Sequence, residues 1–577
     1  MPDAVMKVKV PDSWKIPQRI AYVVSHSLPS SSDGYAVRTH DVACALVENG
    51  HEVIVFNRPG SPWDVGSSIN FPKIKVDQDI DGVRYIYLPF SCQIADKDNY
   101  LRLIEDSLLE AFKVFRPAII MAASNWENAS PAQKAAKRFG SPFFYEQRGF
   151  WGLSLPDGPE RERHILNETK VAQSAEAVFT LNGVMREALE ARGVAASKIH
   201  LVPNGLTTTY GMKPDFTRQS IDCTAQYLFG YIGSLSPYEA VEDLLHLVVK
   251  LRSKGLDVAA MVVGSDSAKG AIDSVESLQS SKLKALAREL GIEKFIHILP
   301  RVPAKEVSNY YNIVDAIISP RHKTDVTEIV PALKPYTAAA YHVPVFLSDI
   351  RPHCEIADEI GATLFPVGDV DALANILAKA LSGGTLQPAT SVDEGVLAWT
   401  HRVQPMSQLF QIVSAATEKD FKQFWRDVPN QKEQHGLKET PRRFNTAALP
   451  QVGLKALAGD MTVACLGYDD AKANKAFTYL TRQNILGVLA TYQPGIFMID
   501  WVGLQQVAGE WDDLWGISNM RLNRLVMDAC RIGLDRGWDM RVVGPVSRSK
   551  APLFCTVSSV LAEIEPHIMH EILEDAR

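Results

Sequence analysis

Short runs of β-branched and aromatic residues alternate with longer amphipathic segments along most of the chain. The first five runs lie at 19–25, 51–57, 118–124, 141–147 and 175–181. Each run is apolar at nearly every position, a pattern typical of strands in a parallel sheet that helices cover on both faces. The first part of the sequence, residues 1–210, therefore predicts a doubly wound α/β domain.

The same alternation starts again after a polar stretch near residues 213–222. The runs of this second series lie at 226–234, 257–265, 294–300, 314–320 and 343–349. We therefore predict a second doubly wound domain at 211–418, in tandem with the first. In such folds ligands bind at the carboxyl ends of the strands, so we expect a ligand cleft where the two sheets face each other.

A smaller unit follows a polar segment that carries no strand signals. We interpret this segment, residues 419–459, as a linker. Three further apolar runs and an amphipathic segment at 519–538 then predict an accessory Rossmann-like α/β module at 460–577. Its tryptophans would form either a sugar-binding or dimer surface or, as we favour, part of the core. They are Trp501, Trp511 and Trp515.

The composition excludes a general attraction to nucleic acid. The chain has 577 residues and a formal net charge of −7, which gives no overall pull toward polyanions. Any phosphate recognition must therefore be local. The seven cysteines stand singly, without a C-x-x-C pair, which is typical of buried thiols in a reducing compartment rather than of disulfides or a zinc site.

Neither a signal peptide nor a membrane span is indicated by the sequence. The N-terminal residues lack the apolar segment of a signal peptide, and no apolar run is long enough to cross a bilayer. We therefore expect a cytoplasmic protein, and a peripheral contact with the inner face of a membrane stays open.

Candidate ligand-binding residues stand where the predicted strands end. In the first domain, Gly34 and Tyr35 follow the first strand and open a helix, so their backbone amides could approach a phosphate or a sugar. In the second domain, Gly233 and Ser234 repeat this arrangement before an amphipathic helix that we expect to begin near Pro237. An ordinary solvated βα turn is the alternative at both places.

Charged residues cluster after the apolar run at 314–320. Arg321 follows directly, and Glu328 and Lys334 frame the start of the next predicted helix. A departing diphosphate develops negative charge, which fixed cations and helix amides would stabilise. Each charge alone is best explained as part of a solvated surface, but the shared position of the three residues at strand ends favours a site for an anion.

The segments GYAVRTH, LVPNGL, GYIGSLSPYE and VTEIVPALKPYTAAAYHVPV stand in this order, at fitting separations, between residues 18 and 415. Together they resemble the retaining glycosyltransferases of family 4, which have the GT-B fold of two Rossmann-like domains around an active cleft. The resemblance implies transfer of a sugar from a nucleoside-diphosphate donor, without a metal or a further cofactor. It also implies that the second domain holds the nucleotide and the first positions the acceptor.

The resemblance implies roles for individual residues. Glu328, Lys334 and Arg321 would form the catalytic set, in which Glu328 contacts the donor sugar and the two cations face the diphosphate. The residues that would bind substrates are Gly34, Tyr35, Arg38, Arg148, Asn204, Gly233, Ser234 and Thr337. Residues 407–421 would form a terminal helix that returns to the first domain.

Four positions depart from the family pattern. Thr337 stands where a glutamate commonly grips the ribose hydroxyls, and a neutral hydroxyl forms the weaker bond, about 1 kcal/mol against about 2 kcal/mol. Ser234 and Glu239 stand where an arginine and a lysine are common. Met121 occupies a place where an active-site histidine is common, and methionine cannot donate a hydrogen bond. Donor handling is therefore altered, or activity has been lost.

These observations predict a retaining, metal-independent, hexosyltransferase-like enzyme. It would pass a sugar from a nucleotide sugar to a glycan, lipid-linked or protein acceptor in cell-surface polysaccharide and glycoconjugate synthesis. The alternative is a non-catalytic relative that binds or scaffolds an active glycosyltransferase, and a homo-oligomer or such a complex stays open. A nucleotide-sugar epimerase or a dehydrogenase is disfavoured, because no G-x-G-x-x-G follows the first strand.

Overall fold

A computed structural model describes large parts of all three predicted units. The described residues are 15–31, 33–63, 75–88, 96–206, 215–266, 278–303, 306–383, 386, 394–417, 462–467, 478–500, 504, 511, 514, 516 and 519–543. The predicted linker at 419–459 lies outside these residues, as do Trp501 and Trp515. Within the described ranges, every helix is too short or too polar to cross a membrane.

The first domain is built on eight strands. They are β1 (Ile16–Val24), β2 (Glu52–Asn57), β3 (Asp77–Ile80), β4 (Val83–Ile86), β5 (Pro117–Ala123), β6 (Phe143–Gln147), β7 (Ala177–Thr180) and β8 (Ile199–Leu201). They form one sheet in the order β3-β4-β2-β1-β5-β6-β7-β8, in which β3 and β4 pair antiparallel and the other neighbours pair in parallel. The strand order reverses between β1 and β5, where doubly wound folds bind ligands.

Helices connect these strands and pack against the sheet. They are α1 (Gly34–Glu48), α2 (Lys97–Phe115), α3 (Trp126–Phe139), α4 (Pro159–Ser174) and α5 (Gly183–Ala191), with short 3-10 turns at Trp151–Ser154 and Ala196–Lys198. Asp33, Asn125 and Asn182 precede α1, α3 and α5, and their side chains accept hydrogen bonds from first-turn amides. These caps fix where each helix begins after its strand.

Strand β5 shows why the strands read as continuous apolar runs, since it is buried at every position. Ile120 and Ala122 contribute to the hydrophobic cluster on one side of the sheet, and Met121 contributes to the cluster on the other side. Met121 is fully buried in the middle of the strand. The interpretation of Met121 as an active-site position is therefore wrong, because ligands meet the end of a strand and not its centre.

The second domain is built on six strands. They are β9 (Tyr227–Ile232), β10 (Val258–Val263), β11 (Ile296–Leu299), β12 (Ala316–Ser319), β13 (Val345–Ser348) and β14 (Thr363–Phe365). They form a parallel sheet in the order β11-β10-β9-β12-β13-β14. The order reverses between β9 and β12, so the second domain has a switch point of its own.

The helices of the second domain follow its strands. They are α6 (Glu242–Ser253), α7 (Leu278–Glu289), α8 (Val307–Tyr311), α9 (Lys334–Ala340), α10 (Arg351–Ile360), α11 (Val370–Ser382), α12 (Glu394–Leu397) and α13 (Trp399–Arg402), with 3-10 turns at Arg218–Ile221, Pro237–Glu239 and Glu293–Phe295. The helix that we expected near Pro237 begins later, at Glu242, because the Pro237–Glu239 turn comes first.

The chain returns to the first domain after α13, as the resemblance implied. A helix over residues 404–417 places Phe410 against Phe144, with ring centroids 5.0 Å apart. The return crosses beside the outgoing connection, because the amide of Leu206 donates to the carbonyl of Leu397 (2.8 Å). Gly205 leaves room for this crossing, since a Cβ there would lie 2.8 Å from the ring of Trp399.

The accessory module contains a four-stranded parallel sheet. Its strands are β15 (Val463–Leu466), β16 (Thr478–Tyr479), β17 (Ile496–Asp500) and β18 (Asp539–Val543), in the order β16-β15-β17-β18, and its helices are Ile485–Thr491 and Met520–Asp535. Trp511 is fully buried in its core, which confirms the core interpretation for this residue. The module packs on α2 of the first domain, where Arg524 Nη1 lies 3.1 Å from Glu110 Oε2.

Candidate active site

A cavity of about 640 Å³ lies between the two large sheets. Both switch points open toward it, because the turns that follow β1 and β9 contribute to its wall. Ten of the eleven predicted site residues line it, and they come from both domains. They are Gly34, Tyr35, Arg38, Arg148, Asn204, Gly233, Ser234, Arg321, Lys334 and Thr337.

Glu328 is the predicted site residue that the structure does not bring to the cavity wall. It lies in a turn that begins at Thr324, whose carbonyl accepts a hydrogen bond from the amide of Glu328 (3.0 Å). Its carboxylate lies 3.3 Å from the ammonium group of the mostly exposed Lys323. The structure thus places Glu328 outside the residues that line the cavity, and its contact with a donor sugar stays a prediction.

The two predicted cations of the second domain share one buried carboxylate, Glu239. Arg321 Nη2 lies 2.9 Å from Glu239 Oε1, and Lys334 Nζ lies 2.8 Å from Glu239 Oε2. Burial alone would raise the pKa of Glu239, but the charges of Arg321 and Lys334 outweigh it and hold the pKa well below the usual range. Arg321 and Lys334 are therefore not free cations, and the sequence analysis missed this role of Glu239.

Lys334 passes directly over the turn after β9. A Cβ atom at Gly233 would lie 1.9 Å from Cε of Lys334, so a residue larger than glycine would displace the lysine. On the other side, Lys334 Nζ lies 5.0 Å from the ring centroid of Tyr231, a cation–π distance. The absence of a side chain at Gly233 thus leaves room for Lys334 as well as for a ligand.

The first domain carries a matching group around Glu146, which is completely buried. Arg38 Nη2 lies 2.9 Å from Glu146 Oε1, and Arg148 Nη2 lies 2.8 Å from Glu146 Oε2. Burial would raise the pKa of Glu146, but the charges of Arg148 and Arg38 lower it to about 2. Each domain therefore presents two cations that one buried carboxylate holds.

The remaining donors of Arg38 and Arg148 are also used. Arg38 donates to Asn204 Oδ1 (2.8 Å) and to the carbonyl of Val202 (2.9 Å). Arg148 donates to the carbonyl of Tyr35 (2.9 Å) and stacks over its ring, with the guanidinium carbon 4.4 Å from the centroid. The two arginines therefore hold the turn after β1 and the crossing near Asn204, which makes them positioning residues.

The turn after β1 is fixed as well. Asp33 Oδ1 accepts from the amide of Ala36 (3.0 Å), and Asp33 Oδ2 lies 2.9 Å from His26 Nε2. The hydroxyl of Tyr35 accepts from the amide of Ser25 (3.1 Å). Asp33 takes the amides of Ala36 and Val37, so the amides of Gly34 and Tyr35 are the ones that the start of α1 can offer to the cavity, together with its partial positive charge.

Thr337 lies beside two tyrosines that the sequence analysis missed. The hydroxyl of Tyr311 hydrogen-bonds the side chain of Thr337, and burial raises the pKa of Tyr311 above its usual value. Tyr311 and Tyr341 stack with ring centroids 5.3 Å apart, and both line the cavity. Hydroxyls and an aromatic pair therefore stand where the family resemblance implies a carboxylate.

Arg301 is a further cavity residue that the sequence analysis missed. It stands two residues beyond the end of β11, so the strand-end rule applied to the segment HILPRV would have found it. The carboxylates of Glu146 and Glu239 gave weaker signals, because the sequence does not show which distant cations each one meets. No group of three or more side chains within the described residues could hold a metal ion.

Comparisons with known proteins agree with this division of the chain. Residues 33–205 match the glycosyl transferase 4-like domain, and residues 215–391 match the glycosyl transferases group 1. D-inositol 3-phosphate glycosyltransferase of Mycolicibacterium smegmatis is 22% identical over 416 residues, which are 68% of this chain and 90% of that protein. The Streptosporangium roseum protein of the same name is 22% identical over 213 residues, 34% of this chain and 47% of that protein.

A solved structure supports the same fold. Sucrose-phosphate synthase from Thermosynechococcus elongatus superposes with a TM-score of 0.50 at 16% identity, over 71% of this chain and 100% of that chain. The predicted fold class is thereby confirmed: two Rossmann-like domains and an additional C-terminal module. The chain thus has a GT-B fold, in which one segment is similar to the glycosyl transferase 4-like domain and a second is similar to the glycosyl transferases group 1.

Proposed function

We propose that the chain transfers a sugar, with retention of anomeric configuration, from a nucleoside-diphosphate sugar to an acceptor hydroxyl. The acceptor would be a glycan, a lipid-linked sugar or a protein in cell-surface glycoconjugate synthesis. The observation that carries the proposal is the cavity between the carboxyl ends of both sheets. Its volume of about 640 Å³ falls within the range of small-molecule sites, roughly 300–1,000 Å³.

The residues around the cavity divide the chemistry between the domains. The turn at Gly233 and the Arg321–Glu239–Lys334 group would lie beside the diphosphate, and the first-turn amides of α1 would face it from the other domain. When the glycosidic C–O bond to the diphosphate breaks, its electron pair stays on the leaving group. These donors stabilise that charge, while the acceptor oxygen forms the new bond to the sugar and passes its proton to the departing diphosphate.

The relatives suggest which acceptors to test first. The curated proteins that match are named D-inositol 3-phosphate glycosyltransferases, so a small phosphorylated polyol joins glycans and lipid-linked sugars on the panel of acceptors. The purified chain is incubated with UDP-, GDP-, ADP- and dTDP-sugars and each acceptor, with and without EDTA. Retention is read from the anomeric proton coupling of the product. A donor-dependent glycoside that forms in EDTA supports the proposal, and the absence of turnover with every pair contradicts it.

A second candidate function is a non-catalytic subunit that binds an active glycosyltransferase. Two observations favour it: Glu239 neutralises one of the two cations beside the Gly233 turn, and Thr337 replaces a carboxylate. This function predicts weak nucleotide affinity and co-purification with a partner that restores activity. Calorimetric titration with nucleoside diphosphates separates the two functions, because only the catalytic one needs donor binding by this chain alone.

A further inference from the structure

Most of the cationic side chains that line the cavity form ion pairs with carboxylates of the protein. Five lysines and arginines line it, and four of them form ion pairs with buried glutamates. The four are Arg38 and Arg148, which share Glu146, and Arg321 and Lys334, which share Glu239. A ligand anion would have to compete with a buried carboxylate for any of these four side chains.

The fifth cation, Arg301, differs from the other four. Its Nη1 atom is shielded from solvent, yet it has no hydrogen-bond partner among the residues that the structure describes. A guanidinium nitrogen that is withdrawn from water without a hydrogen-bond partner costs free energy unless something binds it. Arginine is also the side chain that best matches the paired oxygens of a phosphate.

The carboxylates that line the same cavity are engaged elsewhere. Asp266 Oδ2 accepts from the amide of Gln279 (3.2 Å), and Glu239 is held by its two cations. Asp33 is bonded to His26 and to the amide of Ala36. Burial would raise the pKa of Asp33, but the bond to His26 and nearby charges, that of Arg301 among them, lower it. Asp33 therefore attracts Arg301 without giving its Nη1 atom a hydrogen bond, and that atom is left for a bound anion.

We propose that Arg301 binds the phosphate groups of the donor nucleotide and is the principal residue that selects a nucleoside diphosphate over a nucleoside. The inference rests on the proposed function and deepens it. It assigns the phosphate contact to Arg301, a residue outside the Arg321–Glu239–Lys334 group. That group then shapes the turn at Gly233 and does not supply a free charge.

The floor of the cavity leaves room for this contact. Strand β10 separates β11, which leads to Arg301, from β9, which leads to Gly233. The end of β10 carries Gly264 and Ser265, which are small and line the cavity. A Cβ at Gly264 would lie 1.8 Å from the carbonyl oxygen of Gly233, so the two turns are in direct contact. A diphosphate can therefore extend from the Gly233 turn toward Arg301 without meeting a large side chain.

Calorimetric titration of the full chain tests the inference with UDP, GDP and dTDP, each beside its nucleoside. We expect Arg301→Ala to weaken diphosphate binding about 10- to 100-fold, the loss typical of a charge-assisted contact, and to leave nucleoside binding unchanged. Arg301→Lys keeps the charge but not the paired donors, so we expect its affinity for the diphosphates to fall between those of the wild type and Arg301→Ala. Arg288→Ala is the matched control, because it removes the same charge from an exposed pair with Glu293 in the same domain.

The possible results separate the inference from the proposed function. If Arg301→Ala binds the diphosphates as tightly as the wild type, or loses diphosphate and nucleoside binding equally, the inference is overturned while the proposed function stands. If the wild type binds none of the diphosphates, both are overturned. Thermal unfolding of each variant shows whether the fold is kept, and the lysine variant decides the matter if the alanine variant does not fold.

Discussion

The ammonium group of Lys334 lies 2.8 Å from Oε2 of Glu239, inside the wall of the interdomain cavity. A lysine that faces a cavity at a strand end would ordinarily be assigned to a ligand. Here a buried carboxylate of the same domain holds it, together with Arg321. The net charge of this part of the wall is therefore set by Arg321, Lys334 and Glu239 together. A substitution of Glu239 should change it as much as a substitution of either cation.

Replacing Glu239 by glutamine tests this coupling. The change keeps the size of the side chain but leaves Arg321 and Lys334 without a compensating charge, which we expect to destabilise the fold by about 3 kcal/mol. The cavity also becomes more positive, so affinity for nucleoside diphosphates should rise and depend more steeply on salt. Urea denaturation and calorimetry measure the two effects. Glu242→Gln is the control, because it neutralises a half-exposed carboxylate nearby. A lower affinity of Glu239→Gln for nucleoside diphosphates would show that Glu239 does not limit the positive charge of the cavity.

Gly233→Ala tests the crossing of Lys334 over the turn. The new methyl group would lie 1.9 Å from Cε of Lys334, so the lysine must move and Glu239 loses one of its two partners. We expect a loss of roughly 2–3 kcal/mol in the free energy of unfolding, somewhat less than for complete removal of a buried pair. Gly158→Ala is the matched control, because Gly158 has a similar backbone conformation (φ +150° against +158° at Gly233) and a Cβ there meets no atom within 4 Å. Equal unfolding midpoints for Gly233→Ala and the wild type would show that the lysine is not held in place.

Thr337→Glu restores the carboxylate that the family resemblance implies. The side chain would enter the cavity next to Tyr311 and Tyr341 and could accept hydrogen bonds from ribose hydroxyls. We expect tighter binding of UDP, by roughly 1–2 kcal/mol, and a smaller gain for dTDP, which lacks the 2′-hydroxyl. Titration with both nucleotides measures the difference. Thr363→Glu, at an exposed position of the same domain, adds the same charge away from the cavity, and an equal gain there would exclude a ribose contact.

Glu168 makes the stability of the first domain depend on pH. This residue of α4 is 1% exposed, its Oε1 accepts from the amide of Trp151 (3.1 Å), and burial raises its pKa from 4.5 to about 7. Because the folded pKa is the higher one, the stabilisation from Glu168 is complete below pH 4.5 and is lost as the pH rises through about 7.

The free energy of unfolding of Glu168→Gln should therefore exceed that of the wild type by on the order of 2–3 kcal/mol at pH 8, and by less than about 1 kcal/mol at pH 5. Urea denaturation of both proteins across pH 5 to 8 is the measurement. A constant difference between the two proteins over this range would mean that Glu168 does not titrate there.

The rule that ligands meet parallel strands at their carboxyl ends predicted most of the cavity wall. It located Gly34 and Gly233 correctly because the turn follows directly from the strand, and strand positions can be predicted from apolar runs. The family resemblance, and not this rule, suggested Met121, which lies two residues before the end of β5. One slip of register along a strand moves a side chain from a ligand site into the core, and the apolar run alone does not fix that register.

The pairing of charges could not be predicted from the sequence. Glu239 and Arg321 are 82 positions apart, and Glu146 and Arg38 are 108 positions apart. Whether a cation at a strand end is free or held depends on which distant carboxylate the fold brings to it. The strand-end rule identified Arg321 and Lys334 as cavity residues, and the resemblance identified Arg38, but neither predicted the buried carboxylates that pair with them. Arg301 follows the strand-end rule and was missed.

The side-by-side crossings at Leu206 and Leu397 limit how the molecule can open. At Leu206 and Leu397 the two connections lie side by side, joined by a backbone hydrogen bond and by the contact of Gly205 with Trp399. Two connections held together at one edge favour rotation of the domains about that edge over sliding of one domain along the other. Any opening of the cavity would then be widest at the edge farthest from Trp399.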